Sequence, residues 1–317
     1  MATLILLSSV VGGAVPQPGN GISPIAPAKT LNWAYVGTSV HPRALFDAMM
    51  AYDAADGYVV LFGGVTNSSS LSATNATWSY HAGNWTLLST PVAPHPRYLG
   101  AMTYDATDGY VLLFGGAYRA GGNTVVLNDT WKFSGGVWAQ LHPAKSPPGR
   151  ESSQYTYDAR MGAVIVGGGF NPSHGNETDM WKFHAGAWSR IVPGSSIVPF
   201  NGGGSLGYDA FDQVLVYLHT GCWHCGTYEY RAGNWHTLAY TSAEPGGGLT
   251  TWIYDPAVKM TLYVNASNYF AGFANGTWST FHTTTGVTLG SPPITAFDAS
   301  DHYLLLFSGG ASTWRLA

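Results

Sequence analysis

Charge is scarce in this chain: Asp, Glu, Lys and Arg together make up 9% of its 317 residues, against about 25% in an average soluble domain. Glutamate is limited to Glu151, Glu177, Glu229 and Glu244. The net charge is −4 and no basic run occurs, which argues against nucleic acid as a partner, because phosphate binding needs clustered Lys and Arg. Only two cysteines are present, Cys222 and Cys225, so a multi-bridge disulfide scaffold is excluded. No apolar run reaches the about 20 residues that a membrane-spanning helix needs. With so little charge, the surface must be wetted by Ser, Thr, Asn, Gly and sugar, or be covered by partners.

What the chain has in abundance is repetition. An aromatic-Asp pair followed by a turn and an apolar run occurs six times, at YDAADGYVVLFGG (52–64), YDATDGYVLLFGG (104–116), YDARMGAVIVGGG (157–169), YDAFDQVLVYLHT (208–220), YDPAVKMTLYVNA (254–266) and FDASDHYLLLFSGG (297–310). A period near fifty residues built from short strand-like runs points to an all-β fold, a six-bladed β-propeller. In the second copy, Ala106-Thr107-Asp108-Gly109 supplies turn chemistry and Tyr110 to Phe114 reads as a strand buried on both faces. Asn128 to Phe133 alternates as a third strand, and Val137 to Leu141 forms the outermost one. The recurring Asp residues are read as turn formers. The recurring Trp residues of the two outer strands (Trp78, Trp131, Trp181 and Trp314; Trp33, Trp85, Trp138, Trp188 and Trp235) are read as packing between blades. His41, His95 and His142 stand in His-Pro phrases and are taken to mark register.

The ends close the ring. The last copy stops at Ser312-Thr313-Trp314-Arg315-Leu316, a third strand with no fourth to follow. Leu31-Asn32-Trp33-Ala34-Tyr35 resembles the outer strand Gly83-Asn84-Trp85-Thr86-Leu87. Residues 31–36 are therefore expected to complete the sixth blade, which removes the free edge that would otherwise aggregate. On this reading 31–317 is one propeller and 1–30 is a separate arm, apolar at first and then rich in Pro and Gly. Leu4, Ile5, Leu6, Leu7, Val10 and Val11 are its candidate contacts with another subunit, as an added strand or as a short helix. A leader peptide is the alternative, although the basic residues usual before its apolar core are missing. Membrane contact is expected only through this arm.

Seven Asn-x-Ser/Thr patterns occur, at Asn67, Asn75, Asn84, Asn128, Asn176, Asn265 and Asn275, where chance pairing would give about two or three. The repeat accounts for part of this excess, since it contains an Asn-x-Thr-Trp phrase. The remainder points to covalent N-glycans on an extracellular, cell-surface protein. There Cys222 and Cys225 are expected to form a local disulfide; zinc held with His219 and His224, or free thiols, are the alternatives.

The repeat resembles the kelch repeat, which has a Pro-Arg pair, an aromatic-Asp, a strand closed by Gly-Gly and a Trp on each later strand. The matching residues are Pro42-Arg43, Pro96-Arg97 and Pro148-Gly149-Arg150, with Gly63-Gly64, Gly115-Gly116, Gly168-Gly169 and Gly309-Gly310. Copies four and five depart, with His219-Thr220 and Asn265-Ala266 in place of Gly-Gly. Among enzymes of similar fold, the galactose oxidase family implies a Cys–Tyr crosslink with ligands from separate blades. Both cysteines here lie in one loop, so that site does not carry over. The acidic-acidic-His cluster of iron-dependent specifier proteins has no counterpart either. Glu151, Glu177, Asp179, Glu229 and Glu244 are the carboxylates outside the repeat, and nothing in the sequence brings them together. No cofactor is expected. The leading expectation is a structural subunit of a glycosylated surface filament or layer, self-assembling through its arm. A secreted glycan- or protein-binding propeller using Tyr118 and Phe170 of the variable loops follows, and then an extracellular enzyme.

Overall fold

The computed structural model describes residues 32–316 apart from 68, 196, 198, 201–202, 221–225, 240–249, 256–259, 266–269, 282–293 and 309–310. Six four-stranded antiparallel sheets are arranged as blades. The first blade runs Met49–Asp53, Tyr58–Phe62, Thr77–His81 and Asn84–Leu88, from inside to outside. The second runs Ala101–Asp105, Tyr110–Phe114, Thr130–Ser134 and Val137–Leu141, and the third Gln154–Asp158, Ala163–Gly167, Met180–His184 and Ala187–Ile191. The fourth contains Gly204–Asp209, Val214–His219, Thr227–Arg231 and Asn234–Thr237. The fifth, where the repeat is most degraded, is still complete: Thr250–Asp255, Met260–Asn265, Phe270–Ala274 and Thr277–Phe281.

The sixth blade takes Ile294–Asp298, Tyr303–Phe307 and Thr313–Leu316 from the end of the chain, and its outer strand, Trp33–Val36, from the beginning. Trp33 faces Leu316 and Val36 faces Thr313 in that closing ladder. The expected closure by residues 31–36 is thus observed, with the paired segment two residues shorter at its start. Each inner strand contacts the inner strands of the blades on either side, and the first contacts the last. The ring is complete.

Period-two alternation explains how the blades cohere. On the inner strand of the first blade, Met50 and Tyr52 pack toward Ile294 and Ala296 of the sixth, whereas Met49 and Ala51 pack toward Met102 and Val111 of the second. Both faces of each blade are covered by neighbours, so the second strands are apolar runs: Val59 to Phe62 and Val111 to Phe114 are all at most 2% exposed.

The outer-strand Trp residues form a repeated joint. Trp138 donates its indole N–H to Thr77 Oγ1 of the preceding blade at 3.0 Å, Trp188 to Thr130 at 2.9 Å, Trp278 to Thr227 at 2.8 Å and, across the closure, Trp85 to Thr313 at 2.9 Å. Each Thr opens a third strand and is buried. This fixes the Thr of the Asn75 and Asn128 acceptor patterns for a reason unrelated to sugar. The Asn two residues earlier is under no such demand.

The repeated Asp residues turn the chain, as expected. Asp53, Asp105, Asp209 and Asp298 are fully buried at the ends of inner strands, and one carboxylate oxygen of each accepts the backbone N–H groups two and three residues on. Burial, the largest influence, raises the pKa of Asp53, Asp105, Asp158 and Asp209 despite those bonds, and pushes Asp209 up to about 6.

Candidate functional site

Loops between second and third strands, and those leading from one blade to the next, share one face of the disc. Two of the variable loops are themselves ribbons, Ala117–Ala120 with Asn123–Val126 and Phe170–Asn171 with Gly175–Asn176. The connections into blades one, two and three dock on the Gly-Gly ends of the second strands through the bridges Phe46↔Val65, Tyr98↔Ala117 and Glu151↔Phe170. Glycine is required there. Gly116 has φ 93°, and a Cβ on it would approach Tyr98 O to 2.8 Å and Gly100 N to 3.0 Å.

These bridges set the true equivalences between loops, and they correct two expectations. Aligning Phe46, Tyr98 and Glu151 makes Leu45 the counterpart of Arg97 and Arg150. Pro42-Arg43 therefore lies two residues out of step with Pro96-Arg97, and Arg43 is exposed whereas Arg97 and Arg150 are fully buried. His95 and Pro148 are likewise equivalent, each offering its backbone oxygen to an arginine Nε. His142 is not part of that register.

The buried arginines are the strongest polar feature of the face. Arg97 donates to Gly115 O and makes a bidentate pair with Asp129, at 2.6 and 2.8 Å. Arg150 likewise donates to Gly168 O but holds Asp179 through one nitrogen only, at 2.6 Å, and its other terminal nitrogen lies 3.9 Å from Glu177. Trp131 and Trp181 add indole N–H bonds at 2.7 Å to the second oxygens of Asp129 and Asp179. Burial by itself would raise both carboxyls. The guanidinium bonds and charge, with the indole bond, outweigh it and hold Asp129 and Asp179 below the usual carboxylate range.

Nearer the start of the inner strands a second group assembles. Asp47, Leu99 and Ser152 have left-handed backbones (φ 53–56°) and are chained by backbone bonds, Leu99 N–H to Asp47 O and Ser152 N–H to Leu99 O. This brings the half-buried carboxyl of Glu151 under the influence of the half-buried Asp47. Burial raises both, the Asp47 charge adds to the shift at Glu151, and Arg119, on the ribbon of the second blade, opposes it. Tyr98, packed beneath, is raised by burial and then by Glu151. Beside this group an open cavity of about 400 Å³ lies between the first and second blades, lined by Ser70, Leu71, Ala73, Pro96, Arg119 and a His95–Tyr118 ring pair 4.1 Å apart.

The carboxylates outside the repeat are accordingly dispersed. Glu177 and Asp179 serve Arg150, and Glu229 pairs with Arg231 on the fourth blade at 3.0 Å. Glu151 joins Asp47, a residue the sequence did not single out: Asp47 precedes its aromatic-Asp pair by five residues and Glu151 by six, so no shared spacing links them. Tyr118 lines the cavity, while Phe170 stands 41% exposed on its own ribbon. Asn67, Asn75, Asn84, Asn128, Asn176 and Asn275 are all exposed. The side chain of Asn265, both cysteines, Glu244, Gly309-Gly310 and the six arm residues from Leu4 to Val11 lie outside the described residues. Among the described residues no cluster of three His, Cys, Asp or Glu side chains is placed to hold a metal, and no helix is long and apolar enough to cross a membrane.

No protein-family model matches the chain, and no curated protein matches it. Solved structures do: 534 chains match, among them one described as the structure of YjhT, with a TM-score of 0.59 and 16% identity over 88% of this chain and 95% of that one. At that identity the likeness is one of fold. The class defined is a six-bladed β-propeller with a ribbon-bearing loop face.

Proposed function

We propose that the chain is an extracellular, N-glycosylated propeller of kelch type that serves as a structural subunit of a surface filament or layer, joined to its neighbours through residues 1–30. The observation that carries this reading is the closure: all six sheets are complete from Trp33 onward, so no strand of the ring is drawn from the arm. Trp33–Val36, which follows the arm in sequence, lies on the outer edge of the last blade, and an apolar segment leading into that edge would reach a second copy more readily than its own core. The exposure of the six described acceptor asparagines supports the sugar coat, and the low charge of the chain supports its need.

Deleting residues 1–15 tests the reading. The truncated protein is expected to remain a folded monomer by circular dichroism and light scattering, with no filaments or layers by electron microscopy. Normal assembly of the truncated protein would remove the proposal. Enzymatic deglycosylation of native material is expected to lower its mass at several of the seven sites.

A second reading is recognition of a glycan or protein through the loop face, favoured by the His95–Tyr118 pair over its cavity. Asn67 and Asn75 flank the same loop, so sugar there would crowd a large protein partner. Loss of glycan-array binding on Tyr118→Ala would favour this reading over assembly.

A further inference from the structure

The opposite face carries a more specific feature, visible when two joints of the ring are compared. Between the first and second blades the joint is shut by one carboxylate. Asp56 Oδ2 accepts the Tyr58 hydroxyl at 3.1 Å and also the Gly135 N–H from the outer hairpin turn of the second blade at 2.8 Å. Between the sixth and first blades the same Asp-x-Tyr unit recurs, with Tyr303 O–H donating to Asp301 Oδ2 at 3.1 Å. Here the corresponding turn, Ala82-Gly83, makes no hydrogen bond to Asp301 among the described residues. Tyr80, at the position held by Phe133 in the second blade, instead places its hydroxyl 3.0 Å from that of Tyr303.

The joint therefore stays open as a groove of about 450 Å³, lined by Tyr35, Tyr80, Asp301, Tyr303, Arg315 and the Ala82-Gly83 turn. Its proton order follows from the donors. Tyr303 has one hydroxyl proton and gives it to Asp301, so Tyr80 donates to Tyr303. Burial first, and the Tyr80 contact next, raise the Tyr303 pKa far above the usual phenol value, which keeps that proton in place. Asp301 Oδ1 has no protein donor among the described residues. Arg315 lies with its guanidinium 5.7 Å from the Tyr303 ring centre and forms no ion pair among them. At the rim Tyr35 is 61% exposed and rests edge-on against Trp314 at 5.3 Å; the matching position of the first blade is Leu87.

We propose that this groove binds a neutral hexose. A pyranose has an apolar C–H face suited to a fixed, exposed aromatic ring, and a fan of hydroxyls suited to one carboxylate acceptor and one guanidinium donor lining the same groove. The two opposite charges offset each other, which disfavours a strongly anionic or cationic ligand. A free monosaccharide and the terminal hexose of a glycan share this chemistry.

Saturation-transfer NMR and calorimetry on the full chain, with methyl glycosides of glucose, galactose and mannose, provide the test. At least one is expected to bind saturably, and Tyr35→Ala and Asp301→Asn are each expected to weaken it about tenfold. Asp56→Asn, at the shut joint, is expected to leave the affinity unchanged. Because Tyr35 is exposed, its variant should melt at the parent temperature, so lost binding there reads the site and not the fold. Repeating the titration with an oligosaccharide ending in the bound hexose separates the sources: equal affinity points to a glycan terminus, and weaker affinity to the free sugar. Absence of binding by all three glycosides, or unchanged binding by Tyr35→Ala, overturns the proposal.

Discussion

The first blade and the two that follow it solve one packing problem in opposite ways. Where the second and third blades bury Arg97 with Asp129 and Arg150 with Asp179, the first has Leu45, 3% exposed, and Ala76 at the position of the acid. All three loops make the same backbone bridge to the end of a second strand. The fold therefore tolerates an apolar plug or an ion pair at this place. An intact buried pair is weak evidence for added stability, because desolvation offsets most of its attraction, whereas a broken one leaves a buried charge alone.

That comparison predicts the largest effect. Asp129→Ala strands the buried Arg97 guanidinium and is expected to cost about 3–5 kcal/mol in urea denaturation. The double variant Arg97→Leu with Asp129→Ala copies the first blade and is expected to recover most of the loss, to within about 1–2 kcal/mol of the parent. If the double variant is as unstable as the single one, the two solutions are not equivalent.

Acid sharpens the same contrast. Because Asp129 and Asp179 titrate below their unfolded values, the stability they contribute is present above the ordinary carboxylate pKa and is lost as pH falls through the lowered folded pKa. The double variant should lose the Asp129 share of that acid sensitivity, measured as a flatter stability profile at low pH. Asp209 has the opposite sign. Its folded pKa is raised to about 6, so stability should rise as pH falls from about 6 toward the unfolded value, and Asp209→Asn should remove that rise.

A smaller effect is expected at the blade joints. Thr77→Val leaves the buried Trp138 N–H without its acceptor and should cost about 1–3 kcal/mol. The joint between the third and fourth blades tells how necessary that bond is. Met180 stands at the Thr position there and packs in the same apolar cluster as Trp235, so the joint holds without the hydroxyl.

Much of the ring was legible in the sequence because its signals are local. Aromatic-Asp, the turn, the apolar run and the paired Trp strands each lie within a few residues, and their order alone places four strands per blade. The closing strand was legible from Trp33 because its phrase copies the one around Trp85. The loop face was not. The connection into the first blade is offset by two residues, and nothing in Pro42-Arg43 reveals that Leu45 takes the buried position. The partnership of Asp47 with Glu151 depends on backbone bonds between three loops about fifty residues apart. The seam groove was hidden for a similar reason: Tyr80 reads as one more aromatic until the register places it at a Phe position facing Tyr303.

Cross-linking the closing ladder tests the account most directly. Ala34 faces Arg315 in that ladder, and cysteines introduced as Ala34→Cys and Arg315→Cys can be joined by mild oxidation and mapped by mass spectrometry of the digested protein. A link between these positions within one monomeric chain is the predicted result. A link found only between chains would mean that the first strand seals a neighbour's ring, which contradicts a ring closed by its own two ends with residues 1–30 left over for assembly.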